Sequence, residues 1–202
     1  MIKFGNKVLV SDPCYKYDND DRYVAVLNNV QPGNYNTIVK IGDENSDMWT
    51  RGRVTHLLVI HEEYTEDDCN WIETEYSIGV DSGQCGIYDF ESVKDVIGHG
   101  DYEDKNSWYG KACSLTYDET NRDFMGGEID GYGVVSSAGF GDGTYRLSIA
   151  TNDEIIVGIK LIYIEDRNYD TELDWEEEEY YDDDEDEDEV PDYDEEDDSD
   201  LD

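Results

Sequence analysis

Residues 144–164 read TYRLSIATNDEIIVGIKLIYI, and this stretch decides the fold class. Apolar residues alternate or run together on both sides of Thr151-Asn152-Asp153, a polar segment of hairpin length. The pattern predicts a strand over residues 144–150, a turn, and a second strand over residues 154–164. An antiparallel pair is therefore expected near the end of the β-rich part of the chain.

The residues before this stretch repeat the same signal. Short runs of β-branched and aromatic residues are bounded by Gly, Asn and Asp, and we predict strands over residues 7–10, 22–27, 35–41, 54–61, 72–80, 85–88, 112–117 and 133–137. The long apolar runs 54–60 and 155–162 are expected at the centre of a sheet. Residues 139–143, with three glycines, indicate a further tight reversal.

Helical signals are scarce. One helix is predicted over residues 90–97, where Asp89 can cap the first turn and Gly98 can end the last one. The sequence therefore predicts a mainly β protein, either an antiparallel sandwich or a partly open barrel, with at most one or two short helices.

The C-terminal segment has a different composition. From Glu165 onward 25 acidic residues stand against one base, Arg167, so this segment carries -24 of the formal net charge of -40. Carboxylate repulsion extends such a chain, and its few apolar residues cannot offset an ordering cost of roughly 1–2 kcal/mol per residue. We predict a globular domain over residues 1–165 and a disordered acidic tail over residues 166–202, in which Trp175, Tyr180 and Tyr181 are candidate contact residues.

The body of the chain is also acidic, with 29 acidic and 13 basic residues and a net charge of -16. Affinity for phosphates depends on Lys and Arg, so direct binding of nucleic acid is not expected. A negative surface instead favours a basic protein surface as the partner, such as that of a nucleic-acid-binding protein. In one variant of this hypothesis, the chain mimics nucleic acid in a cationic groove.

The start of the chain, Met1-Ile2-Lys3-Phe4-Gly5, lacks the basic flank and apolar stretch of a secretion signal, and no run resembles a membrane span. A cytoplasmic protein without a membrane association is predicted. In that reducing compartment, free thiols are expected for four irregularly spaced cysteines, Cys14, Cys69, Cys85 and Cys113. The sequence implies no cofactor.

The segment Ser11-Asp12-Pro13-Cys14-Tyr15 follows the first predicted strand. Asp-Pro commonly begins a turn, so one interpretation is structural. The alternative makes Cys14 a thiolate nucleophile that is activated by His61 and oriented by Asp81 or Asp12, although a negative protein disfavours a thiolate.

Potential metal ligands are not grouped in the sequence. His56 and His61 are five residues apart on one predicted strand, which points them to opposite faces. The other His and Cys residues are scattered, and the acidic loops lack the Gly and distal Glu of an EF-hand. No metal site is predicted.

Residues 79–89 read GVDSGQCGIYD, where glycines, small polar residues and two carboxylates lie between two predicted strands. The spacing fits neither a nucleophile elbow nor a phosphate loop. One interpretation is that the backbone needs glycine for turns or close strand approach. The other is a binding site, with the candidate residues Asp12, Tyr15, Ser82, Gln84, Asp89 and Asp142.

Four short motifs occur in order along the body: Ser11-Asp12-Pro13-Cys14-Tyr15, Pro32-Gly33-x-Tyr35, Ile78-Gly79-Val80-Asp81-Ser82-Gly83-Gln84 and Gly139-Phe140-Gly141-Asp142-Gly143-Thr144-Tyr145. Together they resemble an uncharacterised family of phage and bacterial proteins, the domain of unknown function family numbered 4241, over roughly residues 5–165. The resemblance implies a single domain in a phage or bacterial setting. It implies no activity, and the acidic tail lies outside it.

Three functions remain as hypotheses. The first is a non-enzymatic, phage-like binding protein that antagonises a host defence or regulatory factor through its acidic surface. The second is a small-molecule binder or hydrolase with a pocket formed by Asp12, Cys14, His61 and Asp81. The third is a structural or immunity-type interaction domain, in which the glycine segments only shape the fold.

Overall fold

The structure, a computed structural model, describes residues 1–43, 45–46, 48–117 and 125–165. Its strands are β1 (Ile2–Phe4), β2 (Lys7–Ser11), β3 (Ala25–Asn28), β4 (Gly33–Ile41), β5 (Val54–His61), β6 (Trp71–Val80), β7 (Gln84–Asp89), β8 (Gly126–Ile129), β9 (Gly133–Ser137), β10 (Gly143–Asn152) and β11 (Ile155–Ile162). The helices are α1 (Phe90–Val93) and α2 (Trp108–Thr116), and a 3₁₀ turn spans Glu66–Asp68.

The strands form two antiparallel sheets. One has the order β1-β4-β5-β11-β10-β6, and the other has the order β3-β2-β7-β9-β8. The prediction of a mainly β, antiparallel sandwich is confirmed. β5 and β11 are the two central strands of the larger sheet, as their long apolar runs predict.

The predicted hairpin is confirmed as β10 and β11. Its turn is formed by Asp153 and Glu154, whose φ angles are 47° and 68°. Two consecutive residues with positive φ are typical of the two-residue turn whose twist matches antiparallel strands. The reversal predicted at residues 139–143 instead connects β9 in the small sheet with β10 in the large sheet.

The main core lies between the two sheets. Val8 and Val10 of β2 pack in one apolar cluster with Leu57 and Val59 of β5, and all are at most 1% exposed. Leu9 points the other way and joins a second cluster with residues of both helices. The small sheet is therefore buried on both faces, which explains why β2 reads as a continuous apolar run.

The predicted helix cap is confirmed, because the Asp89 side chain accepts a hydrogen bond from the Ser92 amide. α1 ends at Val93, but turns continue to Gly98, whose φ is +71°. The Gly98 amide donates to Pro13 O at 3.1 Å, and a Cβ at Gly98 would lie 2.4 Å from Lys16 N. Gly98 therefore allows the loop after β2 to pack closely against this turn.

The strand predicted over residues 112–117 is wrong, because these residues belong largely to α2. Ser107 caps the helix by accepting from Gly110 N at 3.0 Å. Trp108, Ala112 and Thr116, spaced by four, are the side chains it buries. Apolar and polar residues alternate over residues 112–117, as they do in a strand. The helical spacing of the buried side chains becomes visible only when Trp108 is included.

The acidic tail, with Trp175, Tyr180 and Tyr181, lies outside the described residues, and so does the prediction of disorder for it. Among the residues that are described, no helix has the length and apolar character needed to cross a membrane.

Candidate functional site

Three loops meet at one end of the sandwich. Residues 12–15 follow β2, residues 81–83 connect β6 to β7, and residues 138–142 connect β9 to β10. The pairing registers bring these chain segments together, since Val80 pairs with Gly143 and Gln84 pairs with Ser137. We call these three loops the end-loop surface.

The Asp12 carboxylate connects the first two loops. It is 0% exposed, and it accepts hydrogen bonds from Cys14 N at 2.7 Å and from Ser82 Oγ at 2.6 Å through Oδ1. Its Oδ2 accepts from the amides of Asp81 and Ser82, both at 2.8 Å. No ion pair to Asp12 occurs among the described residues. A buried carboxylate with these donors fixes the two loops relative to each other.

The second and third loops are also joined. Gly83 N donates to Asp142 Oδ1 at 2.9 Å, and Ala138 N donates to Gly83 O at 2.8 Å. The Tyr145 hydroxyl donates to Gly141 O at 2.7 Å from within the core. Asp12 and Asp142, two predicted binding residues, therefore support the loops.

The thiol of Cys14 has a raised pKa. Burial raises its pKa from 9.0 to about 12, and the hydrogen bond and charge of Asp12 add to this effect. Burial and then the neighbouring Asp81 carboxylate also raise the pKa of Tyr15. At neutral pH both groups keep their protons, so Cys14 lacks the thiolate that a nucleophile needs.

His61 does not lie near Cys14, and the predicted pairing of these residues is not formed. In the large sheet Ile60 pairs with Gly158, which pairs with Ala150, which pairs with Trp71. His61 is thus level with the start of β6. Asp81 follows the last residue of β6, and the two ends of this strand are about 30 Å apart at roughly 3.3 Å per residue. Its imidazole instead contacts Gln31, Glu63, Tyr35 and Tyr64.

Asp89 is likewise remote from the end-loop surface. It pairs with Val8 at the opposite end of β7, and its side chain accepts from Ser92 N, Ser92 Oγ and Gly5 N. It caps α1 and anchors the β1–β2 turn, and the prediction that it binds a ligand stays a prediction.

Phe140 was not among the predicted site residues, although it belongs to the glycine-rich motif over residues 139–145. Its side chain is 56% exposed, with the Arg53 guanidinium 5.1 Å from the ring centroid. Asp142 in the same loop and Asp81 in the loop before β7 are also exposed. An exposed aromatic in a glycine-rich loop is the signal that could have identified this position.

Behind the end-loop surface, Gln84 is 8% exposed and its Nε2 donates to Cys113 Sγ at 3.4 Å. Tyr109 lies beside Cys113. Burial raises the pKa of Tyr109 to about 12, and the neighbouring Cys113, Cys14 and Asp12 add to this effect. The sequence prediction missed Tyr109 and Cys113 because it assigned part of α2 to a strand.

The described residues contain no group of three or more His, Cys, Asp or Glu side chains arranged to hold a metal ion. The fold and the site define the class: an acidic β-sandwich with one helical layer and a loop-built surface at one end. In comparisons with known proteins, no family model, curated protein or solved structure matches the chain. The resemblance to the family numbered 4241 stays a prediction.

Proposed function

We propose that the protein is a non-enzymatic binding protein that holds a basic protein partner on its end-loop surface. The observation that carries the proposal is the exposure of Phe140 and Asp142 in one loop and of Asp81 in a second loop that is hydrogen-bonded to the first. Loops that are already ordered lose little conformational entropy on binding, and an aromatic side chain supplies apolar contact area.

The distribution of charge supports a basic partner. Four surface cations are engaged by carboxylates of the same chain, in the pairs Lys40–Glu66, Lys94–Glu91, Lys111–Asp130 and Arg146–Glu73. Lys7 and Lys160 lie over the rings of Phe90 and Trp71. The excess carboxylates therefore dominate the field, which accelerates association with a positive surface and weakens with salt.

The hydrolase alternative has less support, because Cys14 has a raised pKa and His61 lies at the other end of the sheet. Given the resemblance to phage and bacterial proteins, we extend the proposal to an antagonist of a host defence or regulatory factor, including a nucleic-acid mimic. A structural or immunity-type interaction domain would use the same surface for a different partner.

The test is affinity capture from bacterial lysate with the full chain, a version ending near Asp166, and two variants of the surface, Phe140→Ser and Asp81→Asn. Matched controls are Tyr132→Ser, another exposed aromatic, and Glu75→Gln, an exposed carboxylate on β6. A partner retained by the truncated version and by both controls, but lost with Phe140→Ser, supports the proposal.

Equal capture by Phe140→Ser and Tyr132→Ser would overturn the assignment of the surface. Binding to the purified partner that does not weaken with added salt would contradict an electrostatic attraction. A partner captured only by the full chain would assign the interaction to residues 166–202.

A further inference from the structure

β6 has one side without a paired strand. It is the last strand in the order β1-β4-β5-β11-β10-β6, so one side pairs with β10 and the other pairs with no strand among the residues that the structure describes. The strand is ten residues long, Trp71–Val80. An unpaired strand side presents a row of N–H and C=O groups to which a further strand can bind. We call this side of β6 the free edge.

The contacts of β6 show which backbone groups point along the free edge. Gly79 N donates to Tyr23 O at 2.9 Å, on the side away from β10. Backbone groups alternate in direction along an antiparallel strand, so those of Ser77 also point away from β10. Tyr23 thus closes the free edge at Gly79, whereas the N–H and C=O of Ser77 pair with no strand in the described part of the chain.

A bulge lies in the middle of the free edge. Residues 74–76 of β6 lie opposite a single residue of β10, Leu147. Thr74 Oγ1 donates to Leu147 O at 2.9 Å and accepts from Tyr76 N at 3.2 Å. These bonds satisfy part of the bulge from within, and they bend the free edge without covering it.

Beyond the bulge, the backbone groups of Glu73 also point along the free edge. Leu147 O faces β6, because it accepts from Thr74, and Ile149, two residues further along β10, faces β6 too. Ile149 pairs with Ile72, so the backbone groups of Ile72 point to β10 and those of the next residue point away from it. Free backbone groups therefore lie on both sides of the bulge.

Exposed apolar side chains border the free edge. Ile72 is 52% exposed and Tyr76 is 41% exposed. Tyr23 is 49% exposed, and its Cβ lies 2.9 Å from the position that a Gly79 Cβ would occupy. Proteins commonly protect a strand edge with lysine or proline, and residues 71–80 contain neither. Apolar contact area is therefore available beside the free backbone groups.

Charge indicates which kind of strand fits. A second copy of the chain would bring another net charge of -40, and like charges on paired strands are destabilising. Ile72 and Glu73 are consecutive, so their side chains lie on opposite faces of the sheet. The Glu73 carboxylate contacts Arg146 and is still 50% exposed. A strand that alternates apolar and basic residues can place an apolar side chain beside Ile72 and a cation beside Glu73.

We propose that the free edge binds an extended segment of a partner protein, with alternating basic and apolar residues, as an added strand of the large sheet. The backbone of the segment pairs with Glu73 and Ser77 on either side of the bulge, and Tyr23 marks the end of the site. Main-chain hydrogen bonds supply affinity in this mode of recognition, and alternate side chains supply specificity. The site does not include Phe140, so it does not depend on the proposed function.

The test is a titration of the ¹⁵N-labelled full chain, followed by NMR, with a blocked seven-residue peptide of alternating lysine and valine. One counterpart peptide has glutamate in place of lysine, which reverses the charge. The other has methyl groups on its three central amide nitrogens, which keeps the charge but removes central hydrogen-bond donors on both sides of the peptide strand.

Two variants of the protein test the free edge. Ser77→Pro removes an N–H that points away from β10, a change that an edge strand tolerates, and Ile72→Ser removes an apolar contact. Ile155→Ser is the matched control, because Ile155 is an exposed isoleucine on β11, two strands away from β6. Thermal unfolding checks that each variant is folded.

We expect each counterpart peptide to bind at least about tenfold more weakly than the lysine–valine peptide, because it lacks either the backbone pairing or the favourable charge. Ser77→Pro and Ile72→Ser should each weaken binding by about threefold or more, and Ile155→Ser should bind as the parent does. In the complex the amide signals of residues 71–77 should shift, and hydrogen exchange at Glu73 N and Ser77 N should slow.

No binding, or equal binding by the methylated peptide, would overturn the proposal, the second because it indicates attraction to the acidic surface without strand pairing. Equal binding by the glutamate peptide would overturn the choice of a basic segment. A parent protein that is dimeric without peptide, and monomeric as Ser77→Pro, would assign the free edge to a second copy instead. If Ser77→Pro does not fold, the methylated peptide and Ile72→Ser still decide the outcome.

Discussion

Asp12 and Ser82 are 70 residues apart in the chain, yet two hydrogen bonds join them, from Ser82 Oγ at 2.6 Å and from Ser82 N at 2.8 Å. Asp12 follows β2 of the small sheet, and Ser82 follows β6 of the large one. The pair therefore connects the two sheets at the end where the candidate site lies. Both carboxylate oxygens of Asp12 already accept hydrogen bonds from the protein, so neither is available for catalysis.

Replacement of Asp12 by Asn should lower the free energy of unfolding by about 3 kcal/mol, because the amide NH₂ group faces buried N–H donors that the carboxylate accepted. Urea denaturation measures the change. Asp81→Asn, at an exposed carboxylate, is the control and should cost about 0.5 kcal/mol or less. Equal losses in the two variants would contradict the role assigned to Asp12.

Asp89→Ala should destabilise the protein by about 1–2 kcal/mol, since it removes the acceptor for the first turn of α1 and for Gly5 N. Glu91→Ala in the same helix removes only an exposed ion pair with Lys94 and should cost about 0.5 kcal/mol or less. Partner binding should survive Asp89→Ala. A loss of binding in a folded variant would show that Asp89 contributes to binding.

Alkaline pH should destabilise the fold partly through Cys14. The folded pKa is raised from 9.0 to about 12, so the unfolded chain loses the thiol proton first as the pH rises. The contribution is complete below pH 9.0 and is lost as the pH rises toward about 12. Urea denaturation of the parent and of Cys14→Ser, compared at about pH 8 and about pH 10.5, should show a smaller loss in the variant.

Glu154→Gly should stabilise the β10–β11 hairpin by up to about 1 kcal/mol, because Glu154 has a φ of 68° and glycine adopts this conformation without a Cβ clash. Thermal unfolding checks the sign. Gly131→Ala, at a glycine with φ of +75° and open space around it, is the converse test and should destabilise by a similar amount. A lower melting temperature for Glu154→Gly would show that chain entropy outweighs the relief of strain.

Much of the fold could be predicted because period-two alternation and turn residues act over a few residues. The range predicted for β5 matches the observed Val54–His61, and the Asp89 cap needed only the adjacent helix to be recognised. The short strands β1 and β8 were missed, because three or four residues give too little periodicity. α2 was misassigned for a related reason, since its helical spacing spans more residues than the window that showed alternation.

The sequence by itself determined the β-rich class, the central position of β5 and β11, and the excess of negative charge, since these depend on composition and local pattern. Only the tertiary structure decided which residues meet. It placed Cys14, Asp81, Ser82 and Asp142 at one end of the sandwich and His61 at the other. Strand order and the crossing of the chain between sheets depend on contacts between distant residues, which no local pattern encodes.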